Sequence, residues 1–431
     1  MTDHDLNIKE ISFPLHQLIF NIAGITRVIK ESVANHHFQV AFATLEISRQ
    51  LDWNHERREK AVIAAMLHDL GMFSQNSKFN LLSSEFKHSR HAEIGAHLVS
   101  ELPLRFSSSM TDIIRYHHHP WQSDGSQHES PGTEIPAEAH LINFCDRISL
   151  LIQEDEEILS QRERVLSELK EKTPEIFRPG LTAHLSDMPE HFWLSLQDEK
   201  ILRGSIENFL SGRDIIMRED ETMELAQFYS RVIDYRSEFT ATHSWGVAGT
   251  AEKLADFLDW PDRAKKHMKI AGLFHDLGKL AVPPEIINKE GKLTAEEYNL
   301  MKSHVFYTYQ VLSATPTLEH IARWAGLHHE RVDGSGYPFA RQGEDLSLPA
   351  RIMAAADVFV ALVENRPYRA DLKKDQIKQI LKEEGEQGGL DESIVNLLLD
   401  NYTALSSGIE ELQMMRRDNF EEIRPLSEAV N

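Results

Sequence analysis

A single cysteine, Cys145, stands in a chain of 431 residues. That excludes an intramolecular disulfide and a thiolate metal cage. Next to Asp146 in an apolar segment, it reads as a buried structural thiol. No run approaches the roughly 18 consecutive apolar residues of a transmembrane helix. The start, Met1-Thr2-Asp3-His4-Asp5-Leu6, lacks the basic and apolar regions of a signal peptide. Period-two runs of β-branched residues between turns, the mark of strands, are nearly absent. Positive charge is also short: 46 Lys and Arg against 68 Asp and Glu leave a formal net charge of −22. Duplex DNA or RNA is a poor partner for such a chain, because binding it depends on basic surfaces that release counterions. A small phosphate substrate is not excluded, since a pocket can be locally positive on an acidic body. These absences predict an all-α protein of the cytoplasm, with no membrane and no nucleic-acid duplex as partner.

What the chain does have is histidine, 23 of them, in an informative order. His275-Asp276-Leu277-Gly278-Lys279 ends the apolar run Ile270-Ala271-Gly272-Leu273-Phe274 and places imidazole, carboxylate and ammonium within one helical turn. Downstream, His328-His329 adjoins the glycine-rich stretch Asp333-Gly334-Ser335-Gly336-Tyr337-Pro338. Imidazole with carboxylate suits Fe, Mn, Co, Ni or Zn far better than Ca or Mg. Further donors can be searched for. His243 opens a helical stretch running to Leu258, and His304 lies at the head of another helix. Asp357 sits in the apolar segment Arg351–Phe359, where a lone acid is costly to bury unless paired or metal-bound. Taken singly, a His-Asp dipeptide or a His-His pair is more often unremarkable surface or core. The joint occurrence in this order is the signal.

The joint pattern resembles the HD-GYP phosphodiesterases, which open bacterial cyclic dinucleotides. The resemblance covers roughly residues 225–400, including Gly388-Gly389-Leu390-Asp391-Glu392-Ser393-Ile394-Val395, which looks like the family's terminal helix. It implies Asp276 bridging two divalent transition metals, with His243, His275 and Asp357 on one and His304, His328 and His329 on the other. Mn or Fe are the foremost candidates; Co, Ni and Zn also suit. It implies Asp276 and Lys279 in catalysis, and Lys279, Arg366, Arg369, Gly336 and Tyr337 in holding substrate. Two cations about 3.5–4 Å apart generate a hydroxide at neutral pH and clamp phosphoryl oxygens, so no protein nucleophile is needed. Guanidinium forks such as Arg366 and Arg369 suit phosphates. Gly334, Gly336 and Pro338 suggest a tight turn, with Tyr337 packing under it or stacking on a base. Some family members hold a third metal through a glutamate one turn before the first histidine. Here the nearest is Glu238, five residues before His243 and so about 140° around a helix. The reading therefore favours two metals and a linear, 5′-phosphorylated dinucleotide product.

An internal repeat is the second large feature. A shift of 207 residues superimposes His36 on His243, Leu51-Asp52-Trp53 on Leu258-Asp259-Trp260, and His68-Asp69-Leu70-Gly71 on His275-Asp276-Leu277-Gly278. Small further shifts pair His91 with His304, two of His117, His118 and His119 with His328 and His329, and Asp146 with Asp357. The copies are chemically unequal. Met72 takes the place of Lys279, Asp155 and Ile158 fall where Arg366 and Arg369 stand, and no Gly-Tyr-Pro run follows. His36, His68, Asp69, His91 and Asp146 persist as a candidate second metal site, while packing, dimerisation or nucleotide sensing are the roles expected of this copy.

The organisation follows from the repeat: a degenerate HD domain over 1–153, a helical connector over 154–220, an HD-GYP domain over 221–405 and a polar tail over 406–431. Ile11, Leu15, Leu18 and Ile22 suggest a helical lead. Two all-α HD-type bundles in tandem are expected. Three functions compete. A cyclic-dinucleotide phosphodiesterase accounts for every motif. An HD phosphohydrolase acting on a mononucleotide or an alarmone leaves the Gly-Tyr-Pro run and the arginines unexplained. A non-catalytic nucleotide sensor leaves the intact ligands and Lys279 unexplained. Between 3′,3′-cyclic GMP-AMP and cyclic di-GMP the residues do not choose, because metal, lysine and phosphate positions read the linkage and not the base. A homodimer is left open.

Overall fold

The computed structural model describes residues 6, 8–29, 35–74, 90–102, 107–121, 135–153, 155–212, 215–234, 242–364 and 372–412. They form two compact units, one of residues 22–215 and one joining 1–21 to 216–431. The helices over 158–210, set apart as a connector in the sequence reading, belong to the first of these, and residues 1–21 to the second.

The chain opens with a short strand β1 (Ser12–Pro14) and the helix α1 (Leu15–Ile29). Ile11 is buried, but it precedes this strand and is not part of the helical lead expected from spacing. The strand pairs antiparallel with β2 (Ile216–Arg218), Ser12 opposite Arg218. Among the described residues this ribbon is the one departure from an all-helical fold.

In the 22–215 unit follow α2 (His36–Ser48), α3 (His55–Leu67), α4 (Arg90–Ser100), α5 (Ser107–Arg115) and α6 (Ala137–Leu151). Then come α7 (Ile158–Glu171), α8 (Leu181–Ser186), α9 (Glu190–Ser195) and α10 (Glu199–Leu210). Helix α2 is buried on nearly every face, its histidines included, and packs on α3 and α6. Cys145 lies buried on α6, where burial pushes its thiol up to about 12.

The second unit contains α11 (Glu219–Asp234), α12 (His243–Phe257), α13 (Asp262–Phe274), α14 (Pro284–Ile287) and α15 (Ala295–Ser313). After these come α16 (Glu319–Ala325), α17 (Leu348–Val363), α18 (Lys374–Glu386) and α19 (Glu392–Asp400), then a helical stretch over 402–412. Its central helix is α12, packed on α13 and α17 as α2 packs on α3 and α6. One expectation needs correcting: His304 is in the middle of α15, not at its head. Thr294 starts that helix earlier, its hydroxyl accepting from Glu297 N while the Glu297 side chain returns to Thr294 N. No helix among the described residues is long and apolar enough to cross a membrane.

Candidate metal centre

In the second unit five helices deliver the candidate ligands. His243 begins α12, His275 caps the end of α13, His304 comes from the middle of α15, and Asp357 from α17. His328 and His329 follow α16. The chain leaves α13 by a tight 3₁₀ turn over Leu277–Ala281. Gly278 is obligatory there, since a Cβ would lie 1.9 Å from His304 O. Its amide donates to Thr308 Oγ1 at 2.8 Å, and that hydroxyl donates to His275 O at 2.9 Å. Thr308 thus ties the His-Asp turn to the helix that carries His304.

Three histidines share one local device. The Nδ1–H of His275 donates to Gly272 O at 2.7 Å, that of His304 to Met301 O at 2.6 Å, and that of His328 to Ala325 O at 2.6 Å. Each bond to the carbonyl three residues back fixes the tautomer and turns Nε2 inward as a bare lone pair. The two Nε2 atoms of His304 and His328 then face each other at 3.4 Å. Two lone pairs at that separation repel unless a cation lies between them. A proton is disfavoured, because burial brings His304 down to about 3 and holds His328 well below the usual imidazole range. The donor set therefore fits a metal.

Asp276 joins the two halves. Its Oδ2 is 3.2 Å from His275 Nε2, and its Oδ1 is 3.3 Å from His304 Nε2. Against the cost of burial, His275 and the Lys279 ammonium hold its carboxyl well below the usual range. Lys279 Nζ donates to Asp276 Oδ2 at 2.6 Å. Donor atoms of His243, His275 and Asp276 lie within 4.8 Å of one another, as do those of His304, His328 and His329. His243 Nε2 is 3.0 Å from Asp357 Oδ1, and Asp357 Oδ2 is 3.8 Å from His329 Nδ1. All seven expected ligands converge.

Tyr337 packs with its ring 5.0 Å from that of His329, and Gly336 meets the backbone of Arg331 so closely that a Cβ would lie 2.4 Å from its nitrogen. Arg366, Arg369 and Glu238 lie outside the described residues.

The first copy repeats the arrangement. Donor atoms of Asp69, His91, His117 and His118 group together, and those of His36, His68 and Asp146 form a second group. His68 donates to Ala65 O at 2.8 Å and His117 to Ile114 O at 2.6 Å, the same three-residue device. Of the histidine triplet, His117 and His118 are therefore the counterparts of His328 and His329. The ring of His119 turns to Tyr116 instead.

A sequence model described as HD domain matches residues 224–394, and another described as HD domain matches 33–151. The 3′3′-cGAMP-specific phosphodiesterase 1 of Vibrio cholerae is 29% identical over 90% of this chain and 91% of its own. The phosphodiesterase 3 of that name and organism is 31% identical over 72% of this chain and 68% of its own. The chain belongs to the HD-GYP family. A solved structure of a cyclic GMP-AMP specific phosphodiesterase of V. cholerae shares its fold, with a TM-score of 0.62 and 22% identity, covering 93% of this chain and 98% of that one.

In this HD-GYP protein three residues that sequence reasoning passed over organise the site. Glu364, buried at the end of α17, accepts from His243 Nδ1 at 3.0 Å and from Thr242 Oγ1 at 3.1 Å. Burial works against a charged His243, yet the Glu364 and Asp357 carboxylates outweigh it and raise the imidazole to about 10. Thr308 is the second. Glu330 is the third: it is buried and accepts from Phe339 N at 2.7 Å and Arg341 N at 2.9 Å, bracing the turn that carries Tyr337. Glu364 had a signal, lying two helical turns after Asp357; Thr308 had none.

Proposed function

We propose that the chain is a metal-dependent phosphodiesterase that opens 3′,3′-cyclic GMP-AMP to the linear 5′-phosphorylated dinucleotide at the second HD copy. The choice of base rests on one observation. The two relatives matched over most of this chain carry 3′3′-cGAMP in their names. A cyclic di-GMP phosphodiesterase of Xanthomonas campestris is 38% identical but matches only 37% of the chain. The similarity that spans both copies therefore runs with the hybrid dinucleotide.

In this reading His243, His275 and Asp357 would hold one cation and His304, His328 and His329 the other, with Asp276 a ligand shared between them. Two divalent transition-metal ions bound there would supply Lewis acidity toward the phosphoryl oxygens and activate water at neutral pH. Lys279, anchored on Asp276, presents its ammonium to the phosphate charge that builds up during attack. Thr308 and Glu364 hold the ligand rings in place. Tyr337, whose ring packs against His329, would meet the nucleotide, and Arg366 and Arg369 would clamp its phosphates.

The test is hydrolysis of equal concentrations of 3′,3′-cyclic GMP-AMP, cyclic di-GMP and cyclic di-AMP by the Mn-loaded protein, with products resolved by chromatography. Fastest loss of the hybrid, ending in a linear dinucleotide, is the expected result. Cleavage of none of them by the metal-loaded protein overturns the proposal in favour of a mononucleotide phosphohydrolase or a sensor.

A further inference from the structure

We propose that the first HD copy holds transition-metal ions of its own and that His37, which has no counterpart among the ligands of the second copy, is a ligand there. The repeat places His37 on Ser244. His37 is buried, and its Nδ1 has no hydrogen-bond partner. Its ring lies 5.5 Å from that of His68, and donor atoms of His37, His68 and Asp69 come within 4.8 Å of one another. An unpartnered imidazole nitrogen in a dry core is costly unless something there accepts its lone pair.

Charge supports the same assignment. Asp69 and Asp146 are both buried. Among the described residues their ion pairs are all with histidines, at 3.3 Å for Asp69 with His68 and for Asp146 with His36. In the second copy Lys279 neutralises the equivalent aspartate, but Met72 stands here and brings no charge. Two buried carboxylates ringed by imidazoles, with no lysine or arginine among their ion pairs within the described residues, form a donor set suited to a bound cation. Histidine and carboxylate donors select Mn, Fe, Co, Ni or Zn.

The added histidine also bears on what the centre does. Catalytic metal sites keep a coordination position open, while structural sites fill theirs with protein ligands. His37 brings a further imidazole to the cluster where the second copy has the hydroxyl of Ser244. The first copy is thus a closed metal site, built to retain its ions and not to turn over a phosphate ester.

Metal content of the full chain, loaded with Co(II), freed of excess metal and compared with variants, tests this directly. His68→Ala with Asp69→Ala is expected to lower bound cobalt by about half while Asp276→Ala in the other copy removes the rest. His91→Gln, at the half-buried edge of the cluster, serves as second variant if the buried pair melts without cooperativity. His37→Ser restores the residue of the second copy. It is expected to intensify the visible cobalt bands, as a lowered coordination number does, and to speed cobalt loss to a chelator about tenfold. Cobalt content untouched by both His91→Gln and the His68/Asp69 variant overturns the site. A cobalt spectrum and chelator resistance unchanged in His37→Ser overturn the ligand.

Discussion

His243 Nδ1 lies 3.0 Å from Glu364 Oε2, and the same ring meets Asp357 through Nε2, also at 3.0 Å. One imidazole is held between a carboxylate that orients it and a carboxylate that shares its proposed metal. Partners of this kind set ring orientation and basicity, and their loss costs about 10–100-fold in metal affinity or activity. Glu364→Gln keeps the shape and removes the charge. We expect Mn affinity of the second copy, read by competition with a chelator, to fall about tenfold with the fold intact. Unchanged affinity contradicts the role given to Glu364.

Gly278 and Thr308 hold the His-Asp turn against α15. A Cβ at position 278 would lie 1.9 Å from His304 O and 2.7 Å from Thr308 N, both backbone atoms that cannot swing aside. Gly278→Ala should therefore cost about 3 kcal/mol or more of stability, measured by urea unfolding of the metal-free chain. It should also lower metal content by separating His275 from His304. A change below about 1 kcal/mol would show that the turn has slack.

Lys279 donates to Asp276 at 2.6 Å, and the first copy offers its own natural replacement, methionine. Lys279→Met is expected to slow turnover about a hundredfold, the scale on which single charge-stabilising donors act, while bound metal stays near the wild-type level. Loss of metal together with activity would instead make Lys279 a support for Asp276.

A pH response is expected from a pair away from the metal ligands. His267 Nδ1 and His320 Nε2 are 2.8 Å apart, both rings are buried, and Trp324 flanks His320. Burial brings His267 down to about 4 and His320 to about 3, so both are neutral in the folded chain at pH 7. The unfolded chain takes up these protons first, from about pH 6.5 downward. The stability they contribute is present above that pH and is lost as pH falls toward 4, on the order of 3 kcal/mol for His267. In urea unfolding between pH 7 and pH 4.5, His320→Gln should show a shallower loss of stability than wild type. Equal slopes would mean the pair is hydrated.

The buried His/Asp cluster was legible because its chemistry is rare: carboxylate and imidazole in fixed order on apolar helices leave few readings. The fold class was legible for a similar reason, through missing strand periodicity and a repeat that holds register through Leu-Asp-Trp and His-Asp-Leu-Gly. What failed was local. Met301–His304 reads as a helix head until Thr294 and Glu297 are recognised as the cap that starts α15 ten residues before His304. Ile11 fits a helical stripe with Leu15, Leu18 and Ile22, yet the short ribbon with Ile216–Arg218 takes the segment just after it, a pairing of distant segments that spacing cannot reveal. Thr308 and Glu330 act through backbone atoms, and no residue pattern announces that. His37 was hidden in plain view, since adjacent histidines on a helix do not normally face one site; only the cluster around His68 shows that it does.

The central claim is that the second copy opens a cyclic dinucleotide through the cluster around Asp276. Its most direct test is the rate of 3′,3′-cyclic GMP-AMP cleavage by Mn-loaded wild type and Asp276→Ala, measured side by side with bound metal quantified in both. The account predicts a linear dinucleotide from wild type, and neither turnover nor second-copy metal from the folded variant. Full cleavage by Asp276→Ala would contradict it.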